Sequence, residues 1–578
     1  MSLFRKKSIN QLLLDAENTE GGLKKTLTVW ALIALGIGAI IGAGLFVRTA
    51  AAAGEHAGNA VTISFIIAAV GCLFAGLCYA EFASMIPIAG SAYTYAYTTM
   101  GELVAWIIGW ALILEYALGA ATVSIAWSEY LNNLLTGHDI INQISAGTKD
   151  VTSLVIPFQI SHSPFESAKL LSGEVVHGMI NLPAIFILLC LSLLLIKGTQ
   201  ESAKVNAAIV FVKVGIVLLF IGIGWQYIKS VNHTPYFIPD DAPPVLKTDG
   251  TMYDYSPTFN HGWWGVLRGA AIVFFAFIGF DAVSTAAQEA KNPKRDMPIG
   301  ILVSLAICTL LYVLFSHVLT GVAPYTDFVK AGKEASVSYA IQHYMEQYTW
   351  LATLVSVAIL AGFSSVILVM LLGQSRVFYS MSNDGLLPRV FADLHPKFRT
   401  PWKSNLILFA FVGLFGGFIP GSVAGDLTSI GTLFAFVLVC VGVMVLRKTD
   451  PDRPRPFKVP FVPLVPILGV LVCTAMIVSL DKTTLLTALG WMLVGLDIYY
   501  LYGVTHSKLM GGKKLSGNFI SQTYPIVIMT IVLVIVAVNS LEDIWLLKLS
   551  AVQIIFMIWI LFNQHHISLL PPNDKKKD

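Results

Sequence analysis

Two apolar runs carry glycine where a membrane helix would run unbroken: GIGAIIGAGLF, Gly36 to Phe46, and FFAFIGFD, Phe274 to Asp281. A helix that unwinds in hydrocarbon leaves amide and carbonyl groups unpaired, which is tolerated only where protein or a watery cavity surrounds them. In the first run, Ile40, Ile41, Gly42, Ala43 and Gly44 would free N–H groups at the mouth of a half-helix, and such donors suit a carboxylate. In the second, Phe275, Ala276, Phe277 and Ile278 would free carbonyls, which suit an ammonium. Together they would hold a free α-amino acid without any charged side chain. Close helix packing is the plainer use of such glycines. Two clusters at corresponding positions favour a binding site.

Ionisable residues inside apolar runs are the second candidates. Lys213 interrupts VNAAIVFVKVGIVLLFI, far from either end. A charge there is costly and usually faces a cavity, and lysine is the side chain that desolvation most readily discharges. Lys213 is therefore read as the group that takes up and releases a coupling proton, the alternative being a lysine that snorkels to the inner surface. Glu115, in LILEYALGA, either pairs with a cationic substrate, with Lys213 or with backbone donors, or partners a neighbouring helix. Asp281 is expected to cap the second half of its broken helix. Asp497 is read as structural. Arg48 and Arg268 line an outer vestibule, pair with Glu55 and Asp426 as a gate, or anchor the interface; Arg376 is read as an interface anchor.

These residues need a lipid-spanning frame. Of 578 residues, 56% are hydrophobic and 12% charged, about half the charge of a soluble domain. Apolar runs recur at about 28–54, 60–86, 103–134, 179–197, 204–228, 262–287, 298–322, 350–381, 404–420, 427–446, 461–480, 484–504, 519–540 and 546–567. We number them spans one to fourteen. The class is all-α and polytopic, and the period-2 alternation of a barrel is absent. All six cysteines fall within these runs, without metal-ligand spacing, and read as small core residues. Neither a metal, a cofactor nor a nucleic-acid surface is indicated. The N-terminus lacks the short apolar region and cleavage site of a signal peptide.

An even number of spans puts both termini on one side. With that side cytoplasmic, roughly 25 of the lysines and arginines lie inside and about 8 outside. The expected location is the plasma (inner) membrane. Long outer loops fall at about 135–178, 229–261 and 322–349, and the weakly charged stretch Pro87 to Glu102 would form a short interfacial helix. Spans one to five and six to ten each open on a broken helix, and five is odd, so the second set runs inverted. This divides the chain into a cytoplasmic segment 1–27, a ten-helix 5+5 inverted-repeat core 28–446, spans eleven and twelve in 447–504, spans thirteen and fourteen in 505–570, and a tail 571–578.

Four stretches carry a specific resemblance: LGIGAIIGAGLFV in span one, YAEFASMIPIAGSAYTYAYTTMGE after span two, GFDAVSTAAQEAKNPKRDMPIGI from span six into seven, and RVFYSMSNDGLLP, Arg376 to Pro388. With them the chain resembles the amino acid–polyamine–organocation superfamily, and within it the cationic amino acid transporter family. The resemblance implies amino acid uptake by alternating access. It implies carboxylate capture near Gly42, Ala43 and Gly44 and amine capture by carbonyls near Phe275, Ala276 and Ile278. Proton-coupled relatives carry a lysine at the place of Lys213, where sodium-coupled ones bind an ion. By motif position Met370 approaches the substrate side chain. Cation-selective members tend to have a smaller polar residue there, so Met370 favours alanine-sized or neutral substrates over arginine or lysine.

The sequence thus reads as a proton-coupled L-amino acid symporter, whose partners are the amino acid, the proton and membrane lipid. The alternatives are an amino acid exchanger and a non-transporting amino acid sensor. An accessory subunit and a homodimer both remain open. A membrane-embedded enzyme is disfavoured, since no HExxH, GxSxG or paired carboxylates at helical spacing occur within the spans.

Overall fold

The computed structural model describes residues 4–10, 12, 23–42, 44–136, 154–169, 175–247, 252–330, 337–478, 480 and 482–510. Ala43, part of the loop 135–178, and spans thirteen and fourteen lie outside the described residues. Among the described residues the regular structure is helical apart from two small hairpins, Ser167–Lys169 with Val175–His177 and Val245–Leu246 with Met252–Tyr253, and a single bridge between Leu27 and Ala290. Seven helices are long and apolar enough to cross a membrane, and five shorter apolar ones accompany them. Spans one to twelve fall on these twelve segments.

Composition explains which spans are central. Span two, Val61–Met85, buries Ala68, Ala69, Gly71, Cys72, Ala75, Gly76 and Cys78. Such small residues let backbones approach, and span two packs along span seven, Pro293–Val322, and span ten, Gly421–Thr449. Span five, Thr199–Gly224, leaves Phe211, Leu218 and Leu219 exposed while turning Asn206 and Lys213 inward. Its outward face is the apolar one, as a lipid-facing helix requires.

Both expected breaks are present in the backbone. Span one starts at Thr28, whose side chain caps Ala31 N–H, and runs helical over Val29–Ile40. Ile41 is extended, and helix resumes with a π turn, Gly44–Arg48. Span six runs from Gly262 to Phe274, tightens to a 3-10 turn over Phe275–Phe277, and is extended at Ile278. Gly279 then takes φ +109°, and a short helix follows over Ala282–Thr285. Span three holds a further irregularity, a π turn over Leu114–Leu118 that includes Glu115; such bulges recur at functional sites.

Four expectations need correcting. The helix within Pro87 to Glu102 forms over Ala92–Thr99, but every residue of it is buried, so it is a packed floor rather than an interfacial helix. It lies against span ten, with Lys7 N–H of the N-terminal segment bonded to Tyr97 O. Arg376 is fully buried rather than anchored at an interface: its Nη2 pairs with Glu289 at 2.8 Å and reaches Thr199 Oγ1 at 3.0 Å. Asp281 makes no side-chain cap; its backbone is helical and its carboxylate is turned elsewhere. Cys190 is exposed, while the other five cysteines are buried.

Candidate functional site

The breaks meet. A methyl group added at Gly44 would overlap the backbone of Ala276, and one added at Gly279 would press on Ala39. The restart of each broken helix therefore rests on the end of the other's first half. Glycine is required at both points, and at Gly279 the positive φ adds a second reason. Ile40, Ile41, Gly42, Gly44, Ala276, Phe277 and Ile278 are buried, and Phe275 is half-buried.

The backbone groups freed are not all those expected. Ile41 N–H bonds Ile37 O at 3.0 Å, and Ile40 is the last helical residue, so these two offer carbonyls rather than amides. The correction follows from where the helix stops. Donors for an anion can come only from Gly42 onward, where the restart at Gly44 aims its first N–H groups at the gap. Val366 of span eight, Thr349–Asn383, closes over Gly42. Four residues on, Met370 packs against Gly119 next to the span-three π turn.

Lys213 does not snorkel. It is fully buried, with Nζ 2.7 Å from Ile41 O, 2.9 Å from Gly38 O and 3.4 Å from Ser365 Oγ. Ser365 also donates to Gly38 O or to Asn206 Oδ1, and Asn206 Nδ2 donates to Ala34 O at 2.9 Å. An ammonium with this fan of carbonyls occupies the negative end of the first half-helix, where a cation is favoured. Sequence reasoning missed Asn206 and Ser365.

Across the gap the chemistry is acidic. Glu115 and Asp281 are fully buried and face each other. Tyr116 Oη donates to Asp281 Oδ2 at 2.6 Å; Glu115 lies in reach of Asp281 and Thr432, but no donor among the described residues completes a hydrogen bond to Asp281 Oδ1 or to either Glu115 oxygen. Buried acceptors without donors are costly, and they are places where a ligand donor or a water is welcome. Tyr312 of span seven, also missed from sequence, sends its hydroxyl between the two breaks, 2.7 Å from Ile40 O and 2.8 Å from Ala276 O.

Contact clusters lie toward both ends of the broken helices. At one end Arg48 lies over the Phe275 ring at 5.4 Å, and Tyr253 and Tyr255 bond Glu55 O and Gly54 O from the 229–261 loop. The Arg268 charge reaches His56 and Tyr253 there. The side chain of Asp426 is outside the described residues. At the other end the Glu289–Arg376–Thr199 cluster sits beneath span six, and Thr26 and Leu27 of the N-terminal segment bond Glu289 O.

A multi-pass helical bundle with two discontinuous helices crossing at its centre is the architecture of a secondary transporter. The chain belongs to the amino acid permease family, whose profile matches residues 27–484. It is 43% identical to the branched-chain amino acid permease BcaP of Bacillus subtilis (strain 168), over 88% of this chain and 99% of that protein. It is 39% identical to the methylthioribose transporter of the same organism, with the same coverage. It is 32% identical to the vacuolar cationic amino acid transporter 4 of Arabidopsis thaliana, over 78% of this chain and 68% of that one. These relatives are transporters, not enzymes.

Proposed function

We propose that the chain is a proton-coupled symporter of neutral, apolar L-amino acids that works by alternating access. The observation that carries this is Lys213, lodged on the Gly38 and Ile41 carbonyls at the break itself. An ammonium there braces the end of the first half-helix. A neutral amine donates fewer and weaker hydrogen bonds, so gain and loss of a proton would set how firmly that half is held. The substrate carboxylate would take the amides from Gly42 to Gly44. Its ammonium would take the carbonyls of Phe275, Ala276 and Ile278, with Glu115 and Asp281 as further acceptors on the same side.

Met370, large and apolar beside Gly119, supports a side chain of alanine to branched-chain size. The similarity to a branched-chain permease agrees with this, and the cationic relatives keep arginine and lysine as competitors to be tested. In this reading residues 28–446 are the inverted-repeat core, both termini face the cytoplasm, and the membrane is the plasma membrane. The three acceptors around Lys213 also fit a fixed charge, which is how it would serve an exchanger.

The test is uptake into proteoliposomes of alanine, valine, leucine, isoleucine, arginine and methylthioribose, with and without an inward proton gradient. Accumulation of neutral amino acids only with the gradient is expected. Counterflow without gradient-driven accumulation would establish exchange instead.

A further inference from the structure

Tyr312 stands on an unbroken helix, fully buried, with its ring walled by Phe65 and Phe277 at centroid distances of 5.3 and 5.1 Å. Its hydroxyl reaches one carbonyl from each broken helix, Ile40 O and Ala276 O, at nearly equal distances. Both carbonyls belong to last turns whose next helical N–H is missing because the helix stops. A hydroxyl has one hydrogen, so two acceptors share one donor and one of them always has room for another. The close approach of Gly44 to Ala276 and of Gly279 to Ala39, each too tight for a side chain, keeps the two halves in contact at this height.

We propose that Tyr312 is the positioning residue of the amine subsite. Its hydroxyl holds the two carbonyls turned into the gap between the breaks. When an ammonium arrives it takes Ala276 O, and the hydroxyl moves wholly onto Ile40 O, exchanging a shared hydrogen bond for a straight one. The displaced contact is recovered on the other half, so admitting the ammonium leaves neither carbonyl unpaired. Without the hydroxyl, two oxygens of like partial charge face each other with no donor between them. The breaks would relax, and the pair would no longer be set for the amine. This rests on the amino acid reading above and extends it to the residue that gives the amine its place.

The test is equilibrium binding to the purified full chain of valine and of its des-amino analogue, isovalerate. The measured quantity is the ratio of their dissociation constants. A wild-type protein that does not prefer valine would refute the amino acid reading itself, independently of Tyr312. Given that preference, Tyr312→Phe is expected to shrink the ratio about tenfold. A ratio that is unchanged, or that rises, overturns the proposal, because the first leaves the hydroxyl merely structural and the second makes it a competitor. Phe65→Leu, which alters packing around the ring and keeps the hydroxyl, should retain the ratio; loss there too would assign the effect to packing. Should Tyr312→Phe fail to fold, Tyr312→4-aminophenylalanine is read the same way. Its two N–H donors can fill both carbonyls at once, so the ratio should again fall, and an unchanged ratio overturns the proposal.

Discussion

Around the break in span one, the side chain that meets the freed carbonyls is Lys213, and its hydrogen bonds are filled by Gly38, Ile41 and Ser365. Around the break in span six, the side chains are Asp281 and Glu115, which lie in reach of each other, and no donor among the described residues completes a hydrogen bond to three of their four oxygens. The backbones are alike: a helix end, an extended residue, and a restart that rests on the other helix. The side-chain chemistry is opposite, an amine against two carboxyls, and so is the degree of satisfaction. A cation already seated on carbonyls has little left to offer a ligand, whereas open carboxyl oxygens have much. This difference is what the proposed function draws on, giving the proton to the first break and the substrate amine to the second. Tyr312 is the one hydroxyl that touches both breaks among the described residues.

The largest test of that division is at Lys213. Lys213→Ala removes the ammonium from the Ile41 carbonyl and leaves Gly38 O with Ser365 alone, and it removes the group proposed to titrate. Gradient-driven accumulation should fall by about 100-fold or more. Lys213→Arg keeps a cation that cannot discharge at working pH. It should fold and bind substrate yet still fail to couple uptake to pH. If Lys213→Arg accumulated substrate as wild type does, the first break would need only a fixed charge, and the contrast between the breaks would lose its functional meaning.

Next in size is the contact that joins them. Gly44→Ala drives a methyl into the Ala276 backbone, a contact with no flexible side chain to give way. Overpacking of this kind costs about 1–3 kcal/mol, and here it would push the carboxylate donors away from the amine acceptors. Transport of every amino acid should drop by about 30-fold, with affinity more affected than the amount of folded protein. A loss confined to one substrate would place the disturbance at the side-chain end instead. The acidic side follows. Asp281→Asn should lower uptake by about tenfold and Glu115→Gln by somewhat less, because Asp281 is the one oriented by Tyr116. If the carboxyls act as a unit, the double variant should be little worse than Asp281→Asn alone. Full additivity in initial uptake rates would separate them.

Much of this frame was legible in the chain. Spans one to twelve and both breaks could be read from apolar runs and glycines, because lipid imposes length and glycine marks where a side chain cannot fit. Burial of charge was read less well. Arg376 lies close to the end of its span, and nothing local reveals that Glu289, from the far end of span six, comes beneath it. Asp281 was expected to cap, but a cap needs an extended backbone ahead of the helix, and the turn after Gly279 makes it helical there. Asn206 left a usable signal, since it sits seven residues before Lys213 and so on the same helix face. Tyr312 left none: its partners are 36 and 272 residues away, and its own helix is an ordinary apolar one.

The smallest expected effect sharpens the comparison where the two breaks share a wall. Span eight presents Val366 to Gly42 at the first break and, one turn on, Met370 to Gly119 beside the span-three π turn that carries Glu115. In the proposed function Val366 would bound the carboxylate end and Met370 the side-chain end of the substrate site. Met370→Ser removes most of a long thioether and adds a hydroxyl, creating room and one polar contact next to Glu115. Leucine and valine uptake should weaken about threefold, because the apolar surface lost is modest and partly refilled. If the wild-type protein excludes arginine as proposed, arginine should become a measurable competitor in this variant. The pH dependence of uptake should not move, since Met370 packs at Gly119 while Lys213 is held by Gly38, Ile41 and Ser365. A Met370→Ser protein that altered the response to pH but not the choice of substrate would mean that the two breaks do not divide the work.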